Sequence, residues 1–325
     1  MVEFDTGAPG DDASRPVHQH SGMAEVRHVE SATKQFRALD YRFGGESCRE
    51  AVLTLSSWSE RVLSHSSTTE TVRGKLGSAM ADLHNLAAWT CFDSAEEVLA
   101  WIHVRRASEL AALVGNHDLT ANILYRTGRF HLHHDVLDEA LTAFRLGEVT
   151  ARRAECGLSV AILCVNQAWT HARMGDRDLA LTRMGTARDA FEAADRGAPP
   201  TWSAFFDEVD LEAMTGIVYT ELARSVDPAY TSFAIPPLTS AIANYPEGMT
   251  RSRALSQIAL TLNHALERDF EHAAKVGLQA VDSSAKVSST RTKDRLRALR
   301  GLVSLFADDD MRALVERIDR FTRAA

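Results

Sequence analysis

The sequence predicts an all-α fold, a right-handed solenoid of about five to six helix pairs, on three observations. Ala and Leu abound while only 8 prolines occur, and these residues lose least on entering a helix. Apolar residues recur at helical spacing, with no convincing alternating stretch for a strand. A block running from residue 87 returns without a gap at 127 and at 167, a period of 40.

The elements follow in order. Residues 1–22 read as a disordered tail of Gly, Pro, Asp and Ser, and 23–325 as one solenoid. From Glu25 onward, Val26, Val29, Thr33, Phe36 and Leu39 form an apolar stripe that Gly44-Gly45 stops. A second helix carries Cys48, Val52, Leu55 and Val62. "STTE" at 67–70 has the form of a capping box, with Ser67 as cap, and opens a helix bearing Leu76, Met80 and Leu83. Helices then arrive in pairs, separated by the turn signals "GN" (115–116), "GD" (175–176), "GAPP" (197–200), "DP" (227–228) and "YPEG" (245–248).

Within the repeated block the small residues fall at Ala100, Ala140 and Ala180, and large ones follow four later at Val104, Phe144 and Met184. Small residues also recur at Ala107, Gly147 and Ala187, and at Ala88, Gly128 and Ala168. These spacings resemble the core of a tetratricopeptide repeat, in which small residues let two helices approach and large ones fill the space between pairs. The period exceeds the usual ~34 residues, which predicts longer second helices. Fourth and fifth units fit at 214–223 and 254–280, and a last pair at roughly 291–307 and 310–323 caps the array.

"RFHLHHD" (129–135) raises the question of a metal site. In the repeat register, however, His131 recurs as His171 and His264 and is preceded by Cys91, so it reads as a plug with an apolar body and a polar tip. His131 and His134 share a helical face while His133 does not, and no H-E-x-x-H or cysteine pair is present. The expectation is no metal and no cofactor.

The concave face of the first helices carries the candidate ligand groove: Asn85, Trp89, Asn122, Tyr125, Arg129, Asn166, Trp169 and Asp210. Trp89 and Trp169 occupy the same repeat position two units apart, with Arg129 between them. Aromatics offer contact area at low entropy cost, Arg a fork for carboxylates, and Asn an amide able to hold a peptide backbone, while packing of both tryptophans between units fits the same positions equally well. Asp207 and Asp210 share a face, which makes paired carboxylates for acid/base chemistry conceivable, but an acidic first turn complementing the helix dipole is the preferred reading. The basic run "RTKDRLRALR" (291–300) reads as a solvated face beside a core marked by Leu296 and Leu299.

A net charge of −8 disfavours phosphate backbones and anionic membranes, and no apolar run reaches the ~18 residues of a spanning helix. Four scattered cysteines suit packed thiols in the cytoplasm.

The stretches 26–45, 81–93, 122–135 and 205–216 resemble the tetratricopeptide-containing transcriptional regulators of actinobacteria. The resemblance implies a role in transcriptional or developmental control. Members usually carry a helix-turn-helix ahead of the repeats, for which the preceding ~24 residues are too few, so nucleic-acid binding through this chain alone is not expected. The leading expectation is a non-enzymatic regulatory scaffold binding a protein, a peptide or a small effector, with homodimerisation left open. The alternatives are the repeat region of a DNA-binding regulator lacking its head and, third, a metal-dependent helical-repeat enzyme.

Overall fold

The computed structural model describes residues 22–65, 69–195, 197 and 202–323. The tail reading lies outside these residues except for Gly22, as does Ser67 of the capping box. Fourteen α-helices and no strand occur among the described residues: α1 (Met23–Phe43), α2 (Arg49–His65), α3 (Glu70–Asp93), α4 (Glu97–Leu113), α5 (His117–His133), α6 (Leu137–Arg153), α7 (Gly157–Met174), α8 (Arg177–Ala193), α9 (Glu208–Ser225), α10 (Thr231–Asn244), α11 (Thr250–Leu266), α12 (Phe270–Ser284), α13 (Thr290–Val303) and α14 (Asp309–Arg323). The described cap of α3 is Thr69, whose side chain accepts from the Val72 amide.

From α3 onward adjacent helices pack in pairs, α3 with α4 through to α13 with α14, an arrangement consistent with an α-solenoid. Residues in the left-handed region fall at Ala95, Gly115, Asp135, Glu155 and Gly175, twenty apart, each in a short turn between helices. The extra length of the period is therefore shared equally rather than placed in the second helices: α5 and α6 each have 17 residues, and α7 and α8 have 18 and 17. The small-and-large pattern is buried as the packing argument requires. A Cβ on Gly128 would lie 2.4 Å from the Phe144 ring, so the glycine is what lets that ring cross between α5 and α6.

The first helix departs from its sequence reading. Its buried stripe runs Val26, Val29, Thr33, Arg37, Asp40, leaving Leu39 exposed. Arg37 pairs with Asp82 of α3 at 2.6 Å, while Asp40 accepts from Arg251 of α11, 211 residues later. α1 packs on both α3 and α11, so the array turns back and its two ends meet. At that meeting point the Ser288 amide donates to the Phe43 carbonyl at 2.8 Å. Gly44 lies beside it at φ 91°, where a Cβ would fall 2.2 Å from the Ser288 carbonyl oxygen. Both backbone conformation and space require glycine there.

Candidate functional site

The odd-numbered helices from α3 to α13 face inward and line one cavity of about 220 Å³. Trp89 comes from α3, Arg129 from α5, Trp169 from α7, Asp210 from α9, Arg251 from α11 and Arg291 from α13. Both tryptophans are largely covered, at 7% and 6% exposure, yet their rings reach the same cavity.

Asn122, Tyr125 and Asn166 also line it, whereas Asn85 does not. Asn85 is packed between helices, where its side-chain amide donates to Asn122 Oδ1 at 2.6 Å and its backbone carbonyl accepts from Arg126 at 2.5 Å. The expected peptide-clamping asparagines are accordingly engaged within the fold: Asn166 donates to the Ile162 carbonyl at 2.7 Å and accepts from Arg129 at 3.4 Å. Part of the concave side is filled by the chain itself. Trp202 stacks on Tyr125 and donates to Asp118 at 3.0 Å, and Tyr41 of α1 packs on Phe205.

Arg129 does not bridge the two tryptophans. Its guanidinium lies 4.8 Å from the Trp169 ring centroid, with Arg295 on that ring at 5.4 Å, while Trp89 takes Arg291 at 4.2 Å and Arg126 at 5.2 Å. Each ring thus serves two cations, an attraction between positive charge and the ring face. Arg291 and Arg295 correct the reading of 291–300 as a solvated face: both point inward, while Arg297 is exposed. Their spacing carries the signal, since 291, 295, 299 and 302 form one helical stripe with Leu299 and Leu302.

Behind the cavity wall lies a buried charge cluster. Asp93 accepts from the Gly45 amide at 3.0 Å, Ser289 at 2.7 Å, Arg291 at 2.7 Å and Arg251 at 3.1 Å. Burial alone would raise its carboxyl, but Arg291 and Arg251 hold it down at about 2. Arg251 also forks onto both Asp40 oxygens, at 2.9 and 3.1 Å, closing α1 and α3 onto α11 and α13.

Asp207 and Asp210 separate in role. Asp207 caps α9, accepting from the amides of Val209 and Asp210. Asp210 is buried at the cavity edge, accepts from the Tyr245 hydroxyl at 3.2 Å, and is pushed up to about 7 by burial and by Asp207.

The histidine tract disperses. His131 packs on Trp101, His133 meets Asp294 of α13 at 3.1 Å, and His134 meets Glu97 at 3.4 Å. Burial lowers the pKa of His131 and His133, which favours their neutral forms. Among the described residues no three His, Cys, Asp or Glu side chains converge to hold a metal ion. Nor is any helix among them long and apolar enough to cross a membrane.

In comparisons with known proteins, no family model and no curated protein matches this chain.

Proposed function

We propose that the protein is a non-enzymatic regulatory sensor, a right-handed tetratricopeptide-like solenoid whose central cavity binds a small effector. The observation that carries this reading is the convergence of Trp89, Arg129 and Trp169 from three helix pairs on one cavity. The self-filled concave side favours a compact ligand over an extended peptide, as does a volume below the ~300–1,000 Å³ usual for drug-sized ligands. A link to transcriptional or developmental control, with a protein partner reading the liganded state in the cytoplasm, rests on the resemblance to actinobacterial regulators. The free thiols agree with a reducing compartment.

The test is capture from the native host with wild type and Arg129→Glu, followed by denaturation and mass spectrometry of what is released. A small molecule retained by wild type and lost from the variant is the expected result. Identical small-molecule profiles, with only proteins distinguishing the two baits, would overturn the effector reading.

A further inference from the structure

We propose that the cavity recognises a small organic acid, its oxyanion head held by Arg129, Arg291 and Arg295 against the Trp169 ring and its apolar body on α9, α11 and α13. This deepens the effector reading and rests on it.

The first argument is unanswered charge. Among the described residues six arginines line the cavity against two carboxylates, Asp210 and Glu221, and one of the six, Arg126, donates to the Asn85 backbone carbonyl. Arg224 takes Glu221 at 2.7 Å, and Arg251 and Arg291 draw on Asp40 and Asp93 behind the wall. Among the described residues no carboxylate lies within ion-pair distance of Arg129 or Arg295. The partners of Arg129 are neutral and distant, the Tyr125 hydroxyl at 3.5 Å and Asn166 Oδ1 at 3.4 Å. Arg291 is 7% exposed, and its buried Nη2 has no hydrogen-bond partner among the described residues.

These cations also crowd one another. Burial pulls Arg295 down to about 10, with Glu221 opposing that fall and Arg173, Arg129 and Arg224 adding to it. Arg173 is itself answered by Asp135 at 2.9 Å, outside the cavity. Taking a cation out of water without a full counter-charge is unfavourable, and an anion placed among the three guanidiniums relieves it.

The second argument is geometry. The guanidiniums of Arg129 and Arg295 lie 4.8 and 5.4 Å from the centroid of the one Trp169 ring, which gathers both on the same wall, and a guanidinium offers paired N–H donors matched to a carboxylate or phosphate edge. The third is the remaining wall. Ile217, Leu255, Ile258 and Leu302 continue the cavity without charge, a surface suited to a hydrocarbon or aryl body.

The experiment is titration calorimetry on the full chain with three probes of matched body: 4-phenylbutyrate, 3-phenylpropyl phosphate and the uncharged 4-phenylbutanamide. Wild type is expected to bind at least one acid tenfold or more tighter than the amide, and the tighter acid identifies the head group. Arg295→Met replaces a partly buried charge by an apolar side chain. It should fold at least as stably as unliganded wild type and bring the acids within threefold of the amide, and Arg129→Gln should do the same. Equal binding of acid and amide to wild type, or an unchanged preference in both variants, overturns the anion assignment while leaving the effector cavity standing. Failure of all three probes, the amide included, overturns both.

Discussion

Replacing Asp93 by Asn tests whether the buried cluster holds the two ends of the array together. The substitution preserves shape but withdraws the carboxylate from Arg291 and Arg251, leaving Arg291 with no acid within ion-pair distance among the described residues. Removing one partner of a buried pair costs about 3–5 kcal/mol. The depressed carboxyl yields a second figure: a fall from 3.8 to about 2 corresponds to roughly 2–3 kcal/mol of folding stability at neutral pH. The loss expected at pH 7 is therefore about 2–5 kcal/mol, a large share of the ~5–15 kcal/mol that holds a typical domain. The pH dependence has a definite sign. With the folded pKa below the unfolded one, the Asp93 contribution is complete above about pH 5 and declines as the pH falls through 4 towards 2. By pH 3 about half of it remains. Urea unfolding followed by circular dichroism, wild type against Asp93→Asn at pH 7 and pH 3, measures both effects. A loss under about 1 kcal/mol at pH 7, or one that is the same at both pH values, would show that the cluster does not carry closure.

Two further outcomes follow from the backbone and from Asp210. Ala95 is exposed in a turn at φ 62°, a conformation costing an L-residue roughly 1–2 kcal/mol, so Ala95→Gly should stabilise the fold by about 0.5–1 kcal/mol after the added freedom of the unfolded glycine is subtracted. A thermal melt shifted upward by a degree or more is expected, and a downward shift would refute the strain. The Asp210 carboxyl titrates at about 7 in the folded state against 3.8 for the free side chain, so the folded protein keeps this proton longer and loses stability as the pH rises from 4 to 7. Asp210→Asn, which still accepts from Tyr245, should flatten that decline in melting temperature; parallel profiles for the two proteins would disprove it.

The pairing of helices was legible because its determinants are local: the forty-residue recurrence of Ala100, Ala140 and Ala180 with Val104, Phe144 and Met184 follows from contacts within and between neighbouring pairs. Most of the proposed groove positions could be read in the same way, since facing inward is a property of position along the first helix. Asn85 was misplaced because the angular position of a residue does not reveal how closely the next helix approaches it. Closure was not legible at all. Asp40 meets Arg251 and Asp93 meets Arg291 across roughly two-thirds of the chain, and no spacing rule spans such a distance.

The arginines of α13 were misjudged for a different physical reason. An amphipathic stripe is usually counted in apolar residues, so charges at 291 and 295 are assigned to solvent although they continue the line of Leu299 and Leu302. Arg37 and Asp40 continue the stripe of Val26, Val29 and Thr33 in the same manner. That rule holds where the inner face of a helix meets only hydrocarbon; where the inner faces surround a cavity that charged side chains help to line, charge at core spacing can mark the inward side. Arg291 shows how closely closure and cavity are joined. Its Nε is committed to Asp93, while its buried Nη2 has no hydrogen-bond partner among the described residues, and the side chain lines the cavity. An oxyanion engaging Nη2 leaves the Nε bond to Asp93 intact, so binding and closure draw on different nitrogens of one guanidinium. The two then reinforce each other: an anion in the cavity lowers the cost of burying the cation that ties α13 to α3.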